Sequence, residues 1–381
     1  MSFRRSASAV MIAAVLIAIA IVSIVSIDIS HRMTADFQAT QFALMSRILH
    51  SKLRGAEGKA IAAAEMIAAI PSVRAAFDAR DREALLAATR AAFTIQKEKY
   101  GISQAQFHLP PATSFLRVHN PPKFGEDQTN YRHIVVEVNR VNAIRKGLEV
   151  TTSGIGIFGT LPISGADGRP LGSFEMAYEV GPLLDELKNA YGFEMAFFVE
   201  EKILKEVATS LGGEVFNDQN RFGDHVNFHS THAALLRSLV TGGDLSVTEE
   251  AHLVRESSGV SYGVLLFPVY NYAKKQIGVM AMARDFGALR SASRAAMVWQ
   301  TLLGILAAIG LIGVILTVVR GMLLQPLDAL RQRIAASADG EDESAIVPPA
   351  TACDEIRNLA DQCERLRRHA SGKATNPGKR P

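Results

Sequence analysis

Residues 104–119 read QAQFHLPPATSFLRVH. Two short runs, Gln104 to His108 and Ser114 to His119, alternate their side chains with the period of a strand. Pro110 and Pro111 punctuate them. In the second run, alternation puts Phe115, Arg117 and His119 on one face. Leu116 and Val118 fall on the other, which suits a core. The first set places a ring, a permanent cation and an imidazole side by side.

Moving outward, the period changes on both sides. Upstream, about Ser30 to Ile70 reads as one long helix ended by Pro71. Met33, Phe37, Leu44 and Ile48 make a narrow apolar seam along it, continued by Ala60, Ala63, Ala64, Ile67 and Ile70. A seam this narrow suits pairing with a second copy. A second helix is expected from about Arg80 to Tyr100, with Leu85, Leu86, Ala88 and Phe93 on its apolar face. Downstream, a helix is expected around Tyr131 to Asn142. A glycine-rich strand, Gly154 to Ile163, then turns through Ala166 to Arg169 into a strand from Leu171 to Tyr178. The order recurs: helix Gly181 to Tyr191, strand Phe193 to Glu200, and a hairpin of Val264 to Tyr270 with Ile277 to Met282. This is recurrence of architecture, without a residue-by-residue repeat.

Two apolar segments bracket this block, at about 7–27 and 295–319. Each approaches the roughly 20 residues that a helix needs to cross a bilayer. Arg4 and Arg5 before the first, and Arg320, Arg331 and Arg333 after the second, favour a cytoplasmic N-terminus and C-terminus. Arg284, Arg290 and Arg294 pull the other way, but an even number of spans keeps both ends on one side. The first run exceeds a typical signal h-region, and Val22 to Asp28 lacks a small-x-small cleavage pattern. An uncleaved anchor is expected, hence a two-pass protein of the bacterial inner membrane with a periplasmic block.

The 381 residues carry a net charge of +3, which gives no basic field for nucleic acid. The two cysteines, Cys353 and Cys363, both follow the second segment, so the intervening block has no disulfide framework. They also lack the close pairing of a metal site.

The layout resembles the double Cache family of extracytoplasmic sensors. The specific stretch is Phe107 to Asp127, FHLPPATSFLRVHNPPKFGED, which is similar to the third double Cache subfamily of chemoreceptors and other bacterial sensors. Lys146-Gly147-Leu148-Glu149 and Gly172-Ser173-Phe174-Glu175 fit the same pattern, and the likeness covers about Ala60 to Arg290. The resemblance implies an α+β fold: two PAS-like antiparallel-sheet modules on a long helix. The sensor block is expected over about 30–290, with a membrane-distal module at 60–180 and a membrane-proximal one at 190–290. After the second span, Leu324-Gln325-Pro326-Leu327 and Asp354-Glu355-Ile356-Arg357-Asn358-Leu359 resemble a HAMP linker over about 320–370. Its connector would run from Gly340 to Pro349. Leu327, Leu330 and Ile334 would line one helix, and Ile356, Leu359, Cys363 and Leu366 the other. Arg357 departs from the family's usual glycine. HAMP units pack as parallel dimers, so the resemblance implies a homodimer. Residues 371–381 read as a disordered tail.

In PAS-like modules the ligand lies between the sheet and the segment covering it, here Phe124 to Arg132. The candidate ligand-binding residues are therefore Arg117, His119, Phe124, Arg132 and Glu175, with His108 and Tyr178 behind them. Arginine offers a planar fork that matches a carboxylate or phosphate. Histidine adds a group that titrates near neutrality. Glu175 shares a strand face with Ser173 and Ala177 and suits an amine. The alternative is structural: Arg117 pairs with Glu126, Asp127 or Glu175, and His119 caps a loop. A buried arginine has to be paired in either reading.

His225 and His229 stand at i, i+4 beside Asp224, a spacing that suits a metal on a helix. Gly223 and the alternating Val226 and Phe228 point to strand, so no metal is expected. Gly154-x-Gly156-x-x-Gly159 has dinucleotide-fingerprint spacing but lies within a strand with no helix after it. No nucleophile motif is present. The expectation is a non-enzymatic sensor without cofactor. It would bind a small solute, an anion being the class Arg117 suits, and signal through the second span to an unidentified cytoplasmic output protein in chemotaxis or signal transduction. The alternatives are a periplasmic protein-interaction scaffold and a truncated chemoreceptor.

Overall fold

A computed structural model describes residues 3–338 and 354–374. The expected connector Gly340 to Pro349, Cys353 and residues 375–381 lie outside the described residues. The chain forms two units, Ala35–Arg290 and a second made of Met1–Thr34 with Ser291–Pro381.

The larger unit is α+β. It begins within α1 (Phe3–Ala68), followed by α2 (Pro71–Asp78) and α3 (Arg82–Tyr100). Pro71 opens α2 rather than only ending α1, because its missing N–H falls where a helix start has no partner anyway. Asp81 caps α3 by accepting from the Ala84 amide at 3.0 Å, and Gly101 closes it in the left-handed conformation. The first sheet takes β1 (Ile102–Leu109), β2 (Thr113–Arg117), β3 (Arg145–Thr151), β4 (Gly154–Ser164) and β5 (Pro170–Glu179), with α4 (His133–Val141) before β3. Its order is β2-β1-β5-β4-β3.

A second module follows through α5 (Val180–Tyr191). It contains β6 (Glu194–Glu200), α6 (Glu201–Val207), β7 (Arg221–Phe222), β8 (His225–Ser230), α7 (Ala233–Leu239), β9 (Ala251–Ser257), β10 (Val260–Tyr270) and β11 (Gln276–Asp285). The order is β7-β8-β6-β11-β10-β9. The two-histidine segment is thus strand β8, and His229 is engaged by Asp185 at 2.9 Å.

One face of the first sheet packs Phe107, Phe174 and Met176 against Ile67, Phe77 and Phe93 from the three leading helices. Gly159 lets the backbone of α1 lie directly on β4; a Cβ there would collide with main-chain atoms of Ala60 and Ile61. Lower on α1, Phe42, Met45, Leu49 and Leu53 enter the core of the second module. The seam read from the sequence therefore divides. Ala60, Ala63, Ala64 and Ile67 are buried, whereas Met33, Phe37 and Leu44 are exposed. Periodicity located an apolar stripe; tertiary contact turned an adjacent stripe of the same helix into the core.

In the smaller unit, α8 (Gly287–Val318) passes through a π-helical turn, Val319–Leu324, into α9 (Gln325–Ala338); α10 (Asp354–Ala374) follows. The helical stretches Ile12–Ala68 and Val298–Ala336 are each long and apolar enough to cross a membrane. Leu327, Leu330, Ile356, Ala360 and Cys363 pack together between α9 and α10. In the single chain Ile334, Leu359 and Leu366 of the expected seam are exposed, and Ala360 is buried. The helix also continues to Ala374, four residues into the stretch read as disordered tail.

Candidate functional site

The first sheet turns its other face toward α4; Phe158 and Ala177 pack there on Ile134 and Val138, and the rest of that face is polar. The β1–β2 register explains which residues reach it. Gln106 stands opposite Arg117 and Phe107 opposite Leu116, but His108 stands opposite Ser114. The extra residue in this bulge is Phe115. It leaves the face it was expected to share with Arg117 and joins Phe77, with 5.5 Å between ring centroids. Ser114 takes its place on the polar side, accepting from Gln106 Nε2 at 2.9 Å.

Arg132, the residue before α4, is sealed under this cover at 2 % exposure. Its Nε donates to Glu149 Oε2 at 2.8 Å. Its Nη1 and Nη2 donate to the two Glu175 oxygens at 2.8 and 2.5 Å. The guanidinium lies 4.2 Å from the Phe158 ring centre. Glu149 also accepts from the Ile134 amide at 2.7 Å, so it anchors the first turn of α4. His108 Nε2 lies 3.1 Å from Glu175 Oε1. Thr160 donates to Glu175 at 3.3 Å.

Two carboxylates thus face one guanidinium in a buried setting. Burial works against both, but the Arg132 guanidinium and His108 hold Glu175 at about 2. Glu149 has a single Arg132 nitrogen and feels the negative Glu175, so burial lifts it to about 7. Burial opposes the Arg132 charge, yet Glu175 and Glu149 together raise its pKa above the arginine value. Burial pushes His108 and His119 below the usual imidazole range.

Beside this cluster lies a cavity of about 150 Å³, lined by Gln106, Arg117, His119, Lys123, Gln128, Tyr131 and Arg132 together with Gln104, Asn120, the β3–β4 turn and Ser210. Arg117 Nη1 donates to Glu126 at 2.8 and 2.9 Å and to the Lys123 carbonyl at 2.8 Å. Burial opposes the Glu126 charge, but a backbone hydrogen bond and Arg117 bring its pKa below the ordinary value. His119 Nδ1 lies 3.1 Å from the carbonyl oxygen and 3.2 Å from the amide nitrogen of Ala105.

Of the candidates from the sequence, Arg117, His119 and Arg132 line the cavity. Glu175 and His108 are fully buried behind Arg132 and reach it only through that residue. Two candidates lie outside this cavity. Phe124 is half-exposed and stacks on Arg82, whose guanidinium carbon lies 3.3 Å from the ring centre. Arg82 also donates to the carbonyls of Phe115 and Pro121, which holds that loop outward. Tyr178 stands on the opposite sheet face from Glu175 and lines a different cavity, beside α1. Sequence reading missed Gln106, Gln128, Lys123, Glu149 and Ser210. Glu149 had a signal: a carboxylate among Leu148, Val150 and Thr151, all buried strand residues.

A family model described as the double sensory domain of two-component sensor kinases matches residues 55–288. Among curated proteins none matches. Several solved structures are similar. The ligand-binding domain of the Campylobacter jejuni chemoreceptor Tlp3, in complex with 4-methylisoleucine, is 11 % identical at a TM-score of 0.41, covering 67 % of this chain and 92 % of that one. The periplasmic domain of Vibrio cholerae LuxQ is 9 % identical at 0.39, covering 64 % and 99 %. The ligand-binding domain of the Pseudomonas aeruginosa amino-acid chemoreceptor PctC, in complex with GABA, is 14 % identical at 0.35, covering 66 % and 99 %.

Proposed function

Since the chain belongs to the family of double sensory domains of two-component sensor kinases, we propose that it is a two-pass inner-membrane sensor whose periplasmic block binds a small anionic solute. The observation that carries this reading is the lining of the cavity. Its fully charged side chains, Arg117, Lys123 and Arg132, are all cationic. Glu149 and Glu175 are sealed behind Arg132, away from the lining. The remaining polar side chains offer amide, imidazole and hydroxyl groups that orient a solute. A volume of about 150 Å³ is that of a cavity able to hold benzene, so the solute has few heavy atoms.

Binding acts on output only through differential affinity for two states. Strand β11 ends at Asp285 and α8 starts at Gly287, so a shift of this strand reaches the second span along the chain. The α9–α10 pair, resembling a HAMP linker, would pass it to a cytoplasmic output protein in chemotaxis or signal transduction. The exposed Met33, Phe37 and Leu44 on α1 support a homodimer that pairs these stripes. Both termini are then cytoplasmic.

A thermal-shift screen of the full chain in lipid nanodiscs tests the reading. One small anion raising the midpoint is expected, and calorimetry should show that Arg117→Ala abolishes its binding. Unchanged affinity would remove Arg117 from the site. A flat screen together with specific capture of a periplasmic protein would favour the interaction scaffold.

A further inference from the structure

The cavity is not closed by the first module alone. Ser210, in the loop after α6, belongs to the second module and lines it. The Ser210 amide donates to the Thr152 carbonyl at 2.8 Å. Thr152 sits in the β3–β4 turn, which lines the same cavity. Behind that turn Gly154, at a φ of +127°, leaves room for the Phe228 ring of β8; a Cβ would stand 3.0 Å from it. The turn is therefore a shared wall, solute on one side and second module on the other.

A side chain spans the same boundary. Lys123 Nζ donates to the Ser210 hydroxyl at 3.4 Å, a long bond to a neutral acceptor. The other two lining cations are already in ion pairs, Arg117 with Glu126 and Arg132 with Glu149 and Glu175. Among the described residues, Lys123 has no carboxylate in ion-pair contact. An anionic group entering the cavity competes with a hydroxyl for this ammonium. The hydroxyl offers only a dipole at a long distance, whereas an anion brings a full opposite charge into contact with the ammonium, so the anion wins.

We infer that Lys123 is a clasp between the two sensory modules, bridging them through Ser210 when the cavity is empty and letting go when an anion enters. The inference rests on the solute reading of the cavity and adds how occupancy leaves it. By linkage, a solute that draws Lys123 inward favours the state in which the second module has lost a tie to the first. Charge on the solute is then required for signalling as well as for affinity.

The Ser210 amide reports the junction directly. Hydrogen exchange should be followed at this amide in the full chain in nanodiscs. Lys123→Gln is expected to speed its exchange about threefold, the size of one exposed hydrogen bond. Ser210→Ala removes the hydroxyl, keeps the amide, and should match it. Malonate, against chloride at equal ionic strength, should speed exchange about as much in the unmodified chain and add nothing in Lys123→Gln. Unchanged exchange in both variants overturns the clasp. Malonate that raises the thermal midpoint but leaves Ser210 protection where it was overturns the release. The variant measurements need no solute, so a failed solute screen sinks the binding reading separately.

Discussion

The two sheets share an antiparallel plan, but one face of each is used for opposite purposes. Under α4 the first sheet buries His108, Glu149, Thr160, Ser173 and Glu175 around Arg132. Under α7 the second buries Ala196, Phe198, Val264, Leu266, Val279 and Ala281 against Leu236 and Leu239. An apolar face gains from burial without geometric demands. A charged face costs desolvation that only well-aligned partners offset. The first module accepts that cost beside its cavity, whereas this face of the second is ordinary core.

Converting one face into the other breaks the comparison most severely. Arg132→Met strands two buried carboxylates and should cost about 3–5 kcal/mol in urea titrations. Adding Glu149→Leu and Glu175→Leu to it should return most of that stability, while solute binding stays lost. If the triple variant were as unstable as the single one, the cluster would be holding the fold rather than the site. In the second module Phe198→Ala should also cost about 3–5 kcal/mol, here through lost burial and a cavity.

Acidity sharpens the contrast, because the first sheet fully buries titratable groups on this face, whereas the second has the half-buried His225. Glu149 at about 7 lies above its unfolded value of about 4.3. Its contribution is present at low pH and is lost as pH rises through that window. His108 is shifted the other way, so its contribution is lost as pH falls below about 6.5. Just below about pH 6.5 the Glu149 slope opposes those of His108, His119 and His225, which burial lowers alike, so the pH dependence of the unmodified chain should be blunted there. Glu149→Gln removes the opposing slope. Its stability should then rise with pH over that range, by up to about 1.4 kcal/mol per unit for one proton. Glu175, held at about 2, adds a loss only as pH falls below about 4.3 toward that value. A flat Glu149→Gln profile would mean that His108, His119 and His225 all keep their protons in the folded state.

The smallest effect is expected at the rim. Phe124→Ala removes the stack on Arg82 and should cost about 0.5–1 kcal/mol. Solute affinity should not change, since the ring lies outside the cavity. A loss of affinity would return Phe124 to the site and enlarge the first module's functional face.

Much of this was legible in the chain. Periodicity and turn residues gave the α3 helix, the β4–β5 and β10–β11 hairpins and the two apolar helices, because these depend on neighbours in sequence. The stretch from Phe107 to Asp127 carried the family resemblance and the cavity residues Arg117 and His119. Tertiary structure decided the rest. A single extra residue in the β1–β2 pairing moved Phe115 to the core and Ser114 to the polar face, and alternation cannot count a bulge. Arg132, Glu149, Glu175 and His108 come from four separate elements. Ser210 meets Lys123 across 87 residues. Local side-chain pattern fixes which face of an element is buried; which charges then find each other depends on how distant elements pack, and that is energy no short stretch of sequence contains.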